Sequence, residues 1–213
     1  AISALPLLLA ITFHEVSHGF VANRLGDPTA KFMGRLTLNP LAHIDMVGTI
    51  IMPIMLLILT NGQFIFGYAK PVPINPTNFK DPKKYMAISA AAGPITNIAL
   101  AVISALIIKI ILPIIAFMLP GGSAKAIVGP LSLMMISSIK WNVLLAVFNL
   151  IPIPPLDGGR VLVGFLPYKH AITYSKIEPY GMIILIFLIM TGLTNIFVYP
   201  LMMLLSSLIT LIL

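Results

Sequence analysis

The sequence contains no cysteine and few charged residues. The lack of cysteine excludes a disulfide framework, a thiolate nucleophile and a cysteine-ligated metal, so any metal site must use histidine and carboxylate. The 13 Lys+Arg and 6 Asp+Glu residues make up 9% of the 213 residues, about a third of the usual charged share. With 59% hydrophobic residues and a mean hydropathy of +1.05, the composition excludes an ordinary soluble globule and a disordered chain.

Positive charge is in excess, with a net charge of +7, but it is not concentrated in one tract. The lysines and arginines are scattered through the segments between apolar runs and are not interleaved with aromatic residues, so we expect no nucleic-acid partner. Such scattered charges are typical of loops that set membrane topology. No basic segment precedes the first apolar run, and we therefore expect no removable signal peptide.

Five apolar runs predict an all-α polytopic membrane protein with four to five transmembrane helices. The runs at residues 1–24, 85–119 and 126–153 are long enough as helices to cross a hydrocarbon core of about 30 Å. The last run, residues 180–213, can cross once or twice. We expect residues 1–213 to form one integral-membrane domain in a lipid bilayer; the oligomeric state is left open.

The second apolar run, residues 46–60, differs from the others because its roughly 15 residues span only about 22 Å as a helix. It also contains Gly48 and Pro53, both unfavourable inside a helix. We therefore predict a short re-entrant segment that dips into the membrane and returns.

The distribution of positive charge supports the re-entrant course. If residues 46–60 crossed the membrane, the loops would carry four positive charges on one side and seven on the other. If they return, ten positive charges lie on one side of the membrane and only Lys125 lies on the other, which fits the positive-inside rule much better. We therefore predict a cytoplasmic face built from residues 24–46, 61–84 and 157–179.

The first apolar run contains the sequence His14-Glu15-Val16-Ser17-His18. Residues four apart share a helix face, so both imidazoles reach one ion, and Glu15 lies beside them where it can take a proton from a metal-bound water. A carboxylate and two histidines are costly in hydrocarbon unless they face the protein interior and serve a function. The alternative interpretation is a buried polar cluster that holds helices together.

A hydrolytic zinc site needs a third protein ligand and an open fourth position for water. Asp157 stands out among the remaining acids because it directly follows a long apolar run. Pro152, Pro154 and Pro155 cannot continue a regular helix, and unwound backbone at membrane depth requires surrounding protein or a wet cavity. The alternative is a helix stop with a Gly-Gly turn and a merely solvated Asp157. The other acids that remain open as ligands are Asp27, Asp45, Asp81 and Glu178.

Three motifs follow one another along the chain as far as about Arg160. They are His14-Glu15-x-x-His18, Ala92-Gly93-Pro94 with Asn97, and Asn149-x-x-Pro152-x-Pro154-x-Leu156-Asp157-Gly158-Gly159. In this order they resemble the site-2 protease family of intramembrane zinc metalloproteases. Shorter segments look like a compact prokaryotic branch of that family, without PDZ or nucleotide-sensing domains: Gly26 to Ala30, Gly34 to Pro40, His43 to Asp45 and Phe66 to Pro73.

The resemblance implies a chemistry and a set of roles. His14, His18 and Asp157 are expected to bind one Zn²⁺ per chain, with Glu15 as the general base. The substrate is expected to be a transmembrane helix of a membrane protein, cleaved within that helix.

The resemblance also implies a location and a topology. The catalytic core is expected within residues 1–160 and further helices within 180–213, in a prokaryotic plasma membrane, with the active site nearer the cytoplasmic face. In the family the His-bearing and Asp-bearing helices run in the same direction, which again requires residues 46–60 not to cross.

Three polar residues are further candidates. Asn149 lies about two helical turns before Asp157, and the resemblance favours it as a donor to the oxyanion of amide hydrolysis over a helix-to-helix bond. Asn97 is expected to hydrogen-bond between helices or to support the metal ligands, and Ala90 to Gly93 to allow close helix packing. His43 either supports the site or contacts substrate, or it is an ordinary loop histidine.

Residues 66–75 predict a small β-like membrane-associated loop. Pro71 and Pro73 remove two amides from one edge of such a strand and leave those of Val72 and Ile74 on the other edge. That edge can pair with an unwound substrate, which makes Val72 a candidate substrate residue. The alternative is a surface loop with polyproline character.

Two rival functions differ in class from a protease. A membrane zinc carrier is the first, because histidines and acids in membrane helices also mark ion pathways. Against it, one cluster provides no relay of sites and the sequence contains no inverted repeat. The second is a catalytically inactive scaffold, which has no chemical need for Glu15.

Overall fold

The computed structural model describes residues 2–62, 67–119 and 121–213, and the regular elements in these ranges are all helices. The longer ones are α1 (Ala4–Arg24), α2 (Met46–Leu59), α3 (Pro82–Met118), α4 (Gly121–Asn149), α5 (Asp157–Phe165), α6 (Tyr168–Ser175), α7 (Gly181–Met190) and α8 (Thr194–Thr210). Single helical turns occupy Thr29–Phe32, Pro40–His43, Pro76–Asn78 and Glu178–Tyr180. The predicted all-α class is confirmed.

Four stretches in the described ranges are long and apolar enough to cross a membrane. They are α1, α3, α4 and Tyr168–Met190, which contains α6, α7 and the turn between them. This agrees with the lower limit of the predicted four to five crossings. The last apolar run is divided in two, because α7 ends at Met190 and Gly192 adopts φ +73° before α8 begins.

Two predicted features of the membrane surface are not settled by the fold. Helix α2 has a length of about 21 Å, too short for a full crossing, and its re-entrant course stays a prediction. Residues 67–75 have no regular secondary structure and pair with no strand in the part of the chain that the structure describes. Their β-like character also stays a prediction, and Phe66 lies outside the described residues.

Helices α1, α3 and α4 form the centre of the molecule, and each contacts the other two. Each of the three contains fully buried alanines, namely Ala22 on α1, Ala101 and Ala105 on α3 and Ala146 on α4. Small side chains allow helix backbones to approach closely. Within a lipid bilayer the hydrophobic effect does not drive helices together, and close packing of this kind holds them in contact instead. Helix α5 packs against α3, so residue 157 at its start lies beside the central bundle.

Local sequence determines where α3 begins. The Asp81 carboxylate accepts a hydrogen bond from the Lys84 amide at 3.0 Å, and Pro82 occupies the first turn. Both features are favourable at a helix N-terminus, because the cap satisfies a free amide and proline has none to satisfy.

Candidate metal centre

Two histidines one turn apart on α1 and an aspartate at the start of α5 lie together in the interior. The Nε2 atoms of His14 and His18 are 3.1 Å apart. The Oδ2 atom of Asp157 lies 3.1 Å from Nε2 of His14 and 3.3 Å from Nε2 of His18. All three side chains are buried, so the structure brings together the three residues that the sequence proposes as metal ligands.

The opposite nitrogens of the two rings are held by groups that accept hydrogen bonds. The Nδ1 atom of His18 donates to the Ser89 carbonyl at 2.8 Å. The Nδ1 atom of His14 lies 2.5 Å from Oδ1 of Asn97, and it donates to that oxygen. A neutral imidazole with its proton on Nδ1 has a lone pair on Nε2. In that neutral form, both Nε2 lone pairs are directed towards Asp157.

The cluster contains acceptors with nothing to donate to them. The Oδ2 atom of Asp157 is buried and has no hydrogen-bond partner among the described residues. Two imidazole lone pairs and an unpartnered carboxylate oxygen are unfavourable together in a protein interior. A cation satisfies all three at once, and two nitrogens with one carboxylate oxygen are a known ligand set of catalytic zinc.

A proline-rich segment delivers Asp157 to the cluster. Helix α4 ends at Asn149, residues 150–156 are irregular as their prolines predict, and α5 begins at Asp157 itself. The next residue, Gly158, lies directly on the Leu150 carbonyl, so any larger side chain would collide with backbone. This close contact fixes the first turn of α5 against the segment before it.

Gly93 on α3 makes room for both imidazoles. A Cβ atom at this position would lie 2.5 Å from Nε2 of His18 and 2.6 Å from Cε1 of His14. The sequence suggests only close helix packing for Ala90 to Gly93. The structure adds a specific role, because the rings of the metal cluster rest against the bare backbone of Gly93.

Gly93→Ala is expected to weaken zinc binding by at least about 10-fold, because the new methyl group would push the imidazoles of His14 and His18 out of place. Loss of a group that orients a metal ligand has an effect of this size. Gly129→Ala on α4 is the matched control, since its Cβ would meet no atom within 4 Å. Zinc competition with a chelator on both purified variants measures the effect. Equal zinc affinity in the two variants would contradict the assigned role of Gly93.

Glu15 lies next to the cluster on α1 and is half-buried. Its Oε2 atom accepts a hydrogen bond from the Val72 amide at 3.0 Å. Val72 is only 7% exposed, and the segment that carries it lies against α1 at Gly19 and Glu15. The Val72 amide is therefore engaged with Glu15 in this conformation and is not an open strand edge, so the predicted pairing with substrate requires that bond to break.

Comparison with known proteins identifies the family. Residues 113–192 match the family model described as Peptidase family M50. The chain is 36% identical over 196 residues to a Bacillus subtilis (strain 168) protein named "Putative zinc metalloprotease YwhC". That alignment covers 92% of this chain and 83% of the relative. The chain belongs to peptidase family M50, the site-2 protease family.

Other relatives of this M50 peptidase are mycobacterial. Two proteins named "Putative zinc metalloprotease Rip2" are 26% identical in Mycolicibacterium smegmatis and 29% identical in Mycobacterium tuberculosis (strain H37Rv). The alignments cover 88% and 85% of this chain, and 66% and 62% of the respective relatives. No solved structure matches. The family and the four apolar helices identify an integral membrane metalloprotease that uses zinc.

The other predicted site residues of the M50 peptidase lie at different distances from the cluster. Asn97 is fully buried and bonds His14 directly. Asn149 donates from Nδ2 to the Leu145 carbonyl of its own helix, so its role at the oxyanion stays a prediction. His43 is buried and donates from Nε2 to the Thr37 carbonyl, outside the metal cluster.

The segment over Glu15 is held in place by a buried acid that the sequence offered only as a possible ligand. Asp27 is fully buried after α1 and accepts the Asn75 amide at 2.7 Å and the Asn78 side chain at 2.7 Å. Burial alone raises the pKa of Asp27, but hydrogen bonds from Thr29, Asn78 and Asn75 outweigh it and hold the pKa below its ordinary value. Asp27 therefore ties residues 75–78 to the end of α1 as a carboxylate.

Asp27→Ala is expected to lower the free energy of unfolding by about 1.5 to 3 kcal/mol, because buried donors lose a charged acceptor. Since the folded state lowers this pKa, the contribution is present above the unfolded pKa and is lost as the pH falls through the folded value. Unfolding in detergent at neutral and acidic pH measures both effects. A destabilisation that does not shrink at acidic pH would contradict the assignment.

Proposed function

We propose that this M50 peptidase hydrolyses a peptide bond within the transmembrane helix of a membrane-protein substrate. The observation that carries the proposal is the buried, unpartnered Oδ2 of Asp157 facing two imidazole lone pairs, with Glu15 beside them. His14 and His18 belong to a helix apolar enough to span a membrane. A hydrolytic site at such a position reaches bonds that soluble proteases do not.

His14, His18 and Asp157 are the proposed zinc ligands, one ion to a chain. Bound zinc supplies a Lewis acid that makes water more acidic and polarises the scissile carbonyl. Glu15 accepts a proton from the attacking water and passes it to the nitrogen of the leaving amine. The Val72 amide orients the Glu15 carboxylate before the reaction, because its N–H group fixes one of the two carboxylate oxygens.

Substrate binding requires rearrangement of both the substrate and the enzyme. Amides within a substrate helix are hydrogen-bonded and shielded, so the helix must unwind locally before its carbonyl reaches the site. Asn149 can donate to the oxyanion after its amide turns away from the Leu145 carbonyl. Pairing of the unwound substrate with residues 72–74 likewise follows release of the Val72 amide from Glu15.

The proposed setting is a prokaryotic plasma membrane with the site nearer the cytoplasmic face. Ten loop positive charges on that side, against Lys125 on the other, support this orientation if α2 returns without crossing. A zinc carrier is less well supported, because the described residues contain one candidate metal cluster and carriers need a series of sites.

The test uses the full chain reconstituted with single-span reporter proteins, some of which carry Gly or Pro within the span. We expect cleavage inside the apolar span, located by mass spectrometry, to stop on zinc chelation and to resume on addition of zinc. Cleavage confined to the water-exposed flanks would contradict the proposal. So would zinc flux into sealed vesicles without any cleavage.

A further inference from the structure

A chain of buried amides leads from His14 into the helix bundle. Oδ1 of Asn97 lies 2.5 Å from Nδ1 of His14, and Nδ2 of Asn97 donates to Oδ1 of Asn142 at 2.8 Å. Asn142 is 1% exposed and belongs to none of the motifs from which the site was predicted. It lies on α4, whereas His14 lies on α1 and Asn97 on α3.

Backbone carbonyls fix the direction of this chain, because a carbonyl oxygen only accepts hydrogen bonds. Nδ2 of Asn142 donates to the Ser138 carbonyl at 2.9 Å, so Oδ1 of Asn142 must face Asn97. Nδ2 of Asn97 donates both to that oxygen and to the Ala10 carbonyl at 3.2 Å. Oδ1 of Asn97 is thereby directed to Nδ1 of His14.

The opposite orientation of Asn97 is unfavourable for two reasons. Its oxygen would face two other oxygens, those of Ala10 and Asn142, with no proton between them. Its NH₂ group would face Nδ1 of His14, which would then have to accept and to carry its proton on Nε2. A protonated Nε2 cannot bind a metal.

We propose that Asn142 is a positioning residue for zinc binding. Its Oδ1 atom holds the amide of Asn97 in the one orientation that keeps Nε2 of His14 free of a proton and directed at the metal. The inference rests on the proposed role of His14 as a zinc ligand. It assigns a function to a residue on α4 that reaches the ligand on α1 only through Asn97 on α3.

Asn142→Leu removes the acceptor while keeping a side chain of similar length, and it is expected to weaken zinc binding by about 10- to 100-fold. Asn142→Asp is expected to restore most of the affinity. Burial favours the neutral acid, whose carbonyl accepts from Asn97 while its hydroxyl donates to the Ser138 carbonyl. Zinc affinity is measured by chelator competition on the full chain in detergent.

Ser138→Ala is the matched control for disturbed packing. Asn142 also donates to the Ser138 hydroxyl at 3.2 Å, but its bond to the Ser138 carbonyl survives this change. We expect wild-type zinc affinity in Ser138→Ala. A double-mutant cycle then tests the route: in an Asn97→Ala background, Asn142→Leu should cause no further loss of affinity.

The outcomes separate the inference from the function on which it rests. The inference is overturned by unchanged zinc affinity in Asn142→Leu, by an equal loss in Ser138→Ala, or by full additivity with Asn97→Ala. If Asn142→Leu does not fold, Asn142→Ala in the same assay gives the decision. If instead Asp157→Ala binds zinc as tightly as the wild-type chain, the proposed metal site itself fails, whatever the result for the Asn142 variants.

Discussion

Glu15→Gln is expected to retain zinc and to lose about 10²- to 10⁴-fold in peptide cleavage, the range that general-base catalysis supplies. Glutamine has the same shape and still offers an oxygen to the Val72 amide, so the segment over the site should stay in place. It cannot accept a proton from water at neutral pH, which is the step assigned to Glu15. The expected result is an intact site without its base.

The matched control is Glu178→Gln, the same chemical change at the other glutamate of the chain. Glu178 lies near the surface, 3.7 Å from Arg160, and its replacement by glutamine should leave the cleavage rate unchanged. Zinc content by mass spectrometry and cleavage of a transmembrane reporter are measured on both variants. Substantial cleavage by Glu15→Gln with full zinc content would show that another group is the base.

Asp157→Ala is expected to reduce zinc affinity by more than the about 10- to 100-fold that supporting partners of metal ligands contribute. The change removes the one carboxylate in the cluster and leaves only the two imidazoles. It also removes the unpartnered buried Oδ2. In a zinc-free buffer the variant should therefore unfold at a higher temperature than the wild type, whereas in zinc the order should reverse.

Asp81→Ala is the control for this experiment because it replaces another aspartate at a helix start. Loss of the cap on α3 should cost about 1 kcal/mol of stability with or without zinc, and it should leave zinc affinity unchanged. Thermal unfolding in detergent with added zinc or chelator measures both variants. An Asp157→Ala variant that zinc stabilises as much as the wild type would contradict the ligand assignment.

The residues of the metal cluster could be proposed from the sequence because their constraints are local. His14 and His18 are four apart on one helix, and prolines before Asp157 exclude a regular helix there. The apolar runs were similarly informative, since length and hydropathy alone predict α1, α3 and α4, whereas the fourth apolar stretch begins at Tyr168 and not at residue 180.

The roles that the sequence did not reveal depend on contacts between distant elements. Gly93 and Asn142 matter because α3 and α4 approach α1 closely, and no periodicity in an apolar helix shows which small or polar residue meets a ligand. The Val72 amide illustrates the same limit. Its neighbouring prolines predict a free edge, but only the fold shows that Glu15 occupies it.

The central claim is that one zinc ion is bound by His14, His18 and Asp157. Anomalous scattering at the zinc edge from crystals of the full chain tests it most directly. The account predicts a single peak at about 2.0 to 2.2 Å from Nε2 of each histidine and from an Asp157 oxygen. A zinc peak elsewhere, or none at this cluster in protein that contains stoichiometric zinc, would contradict it.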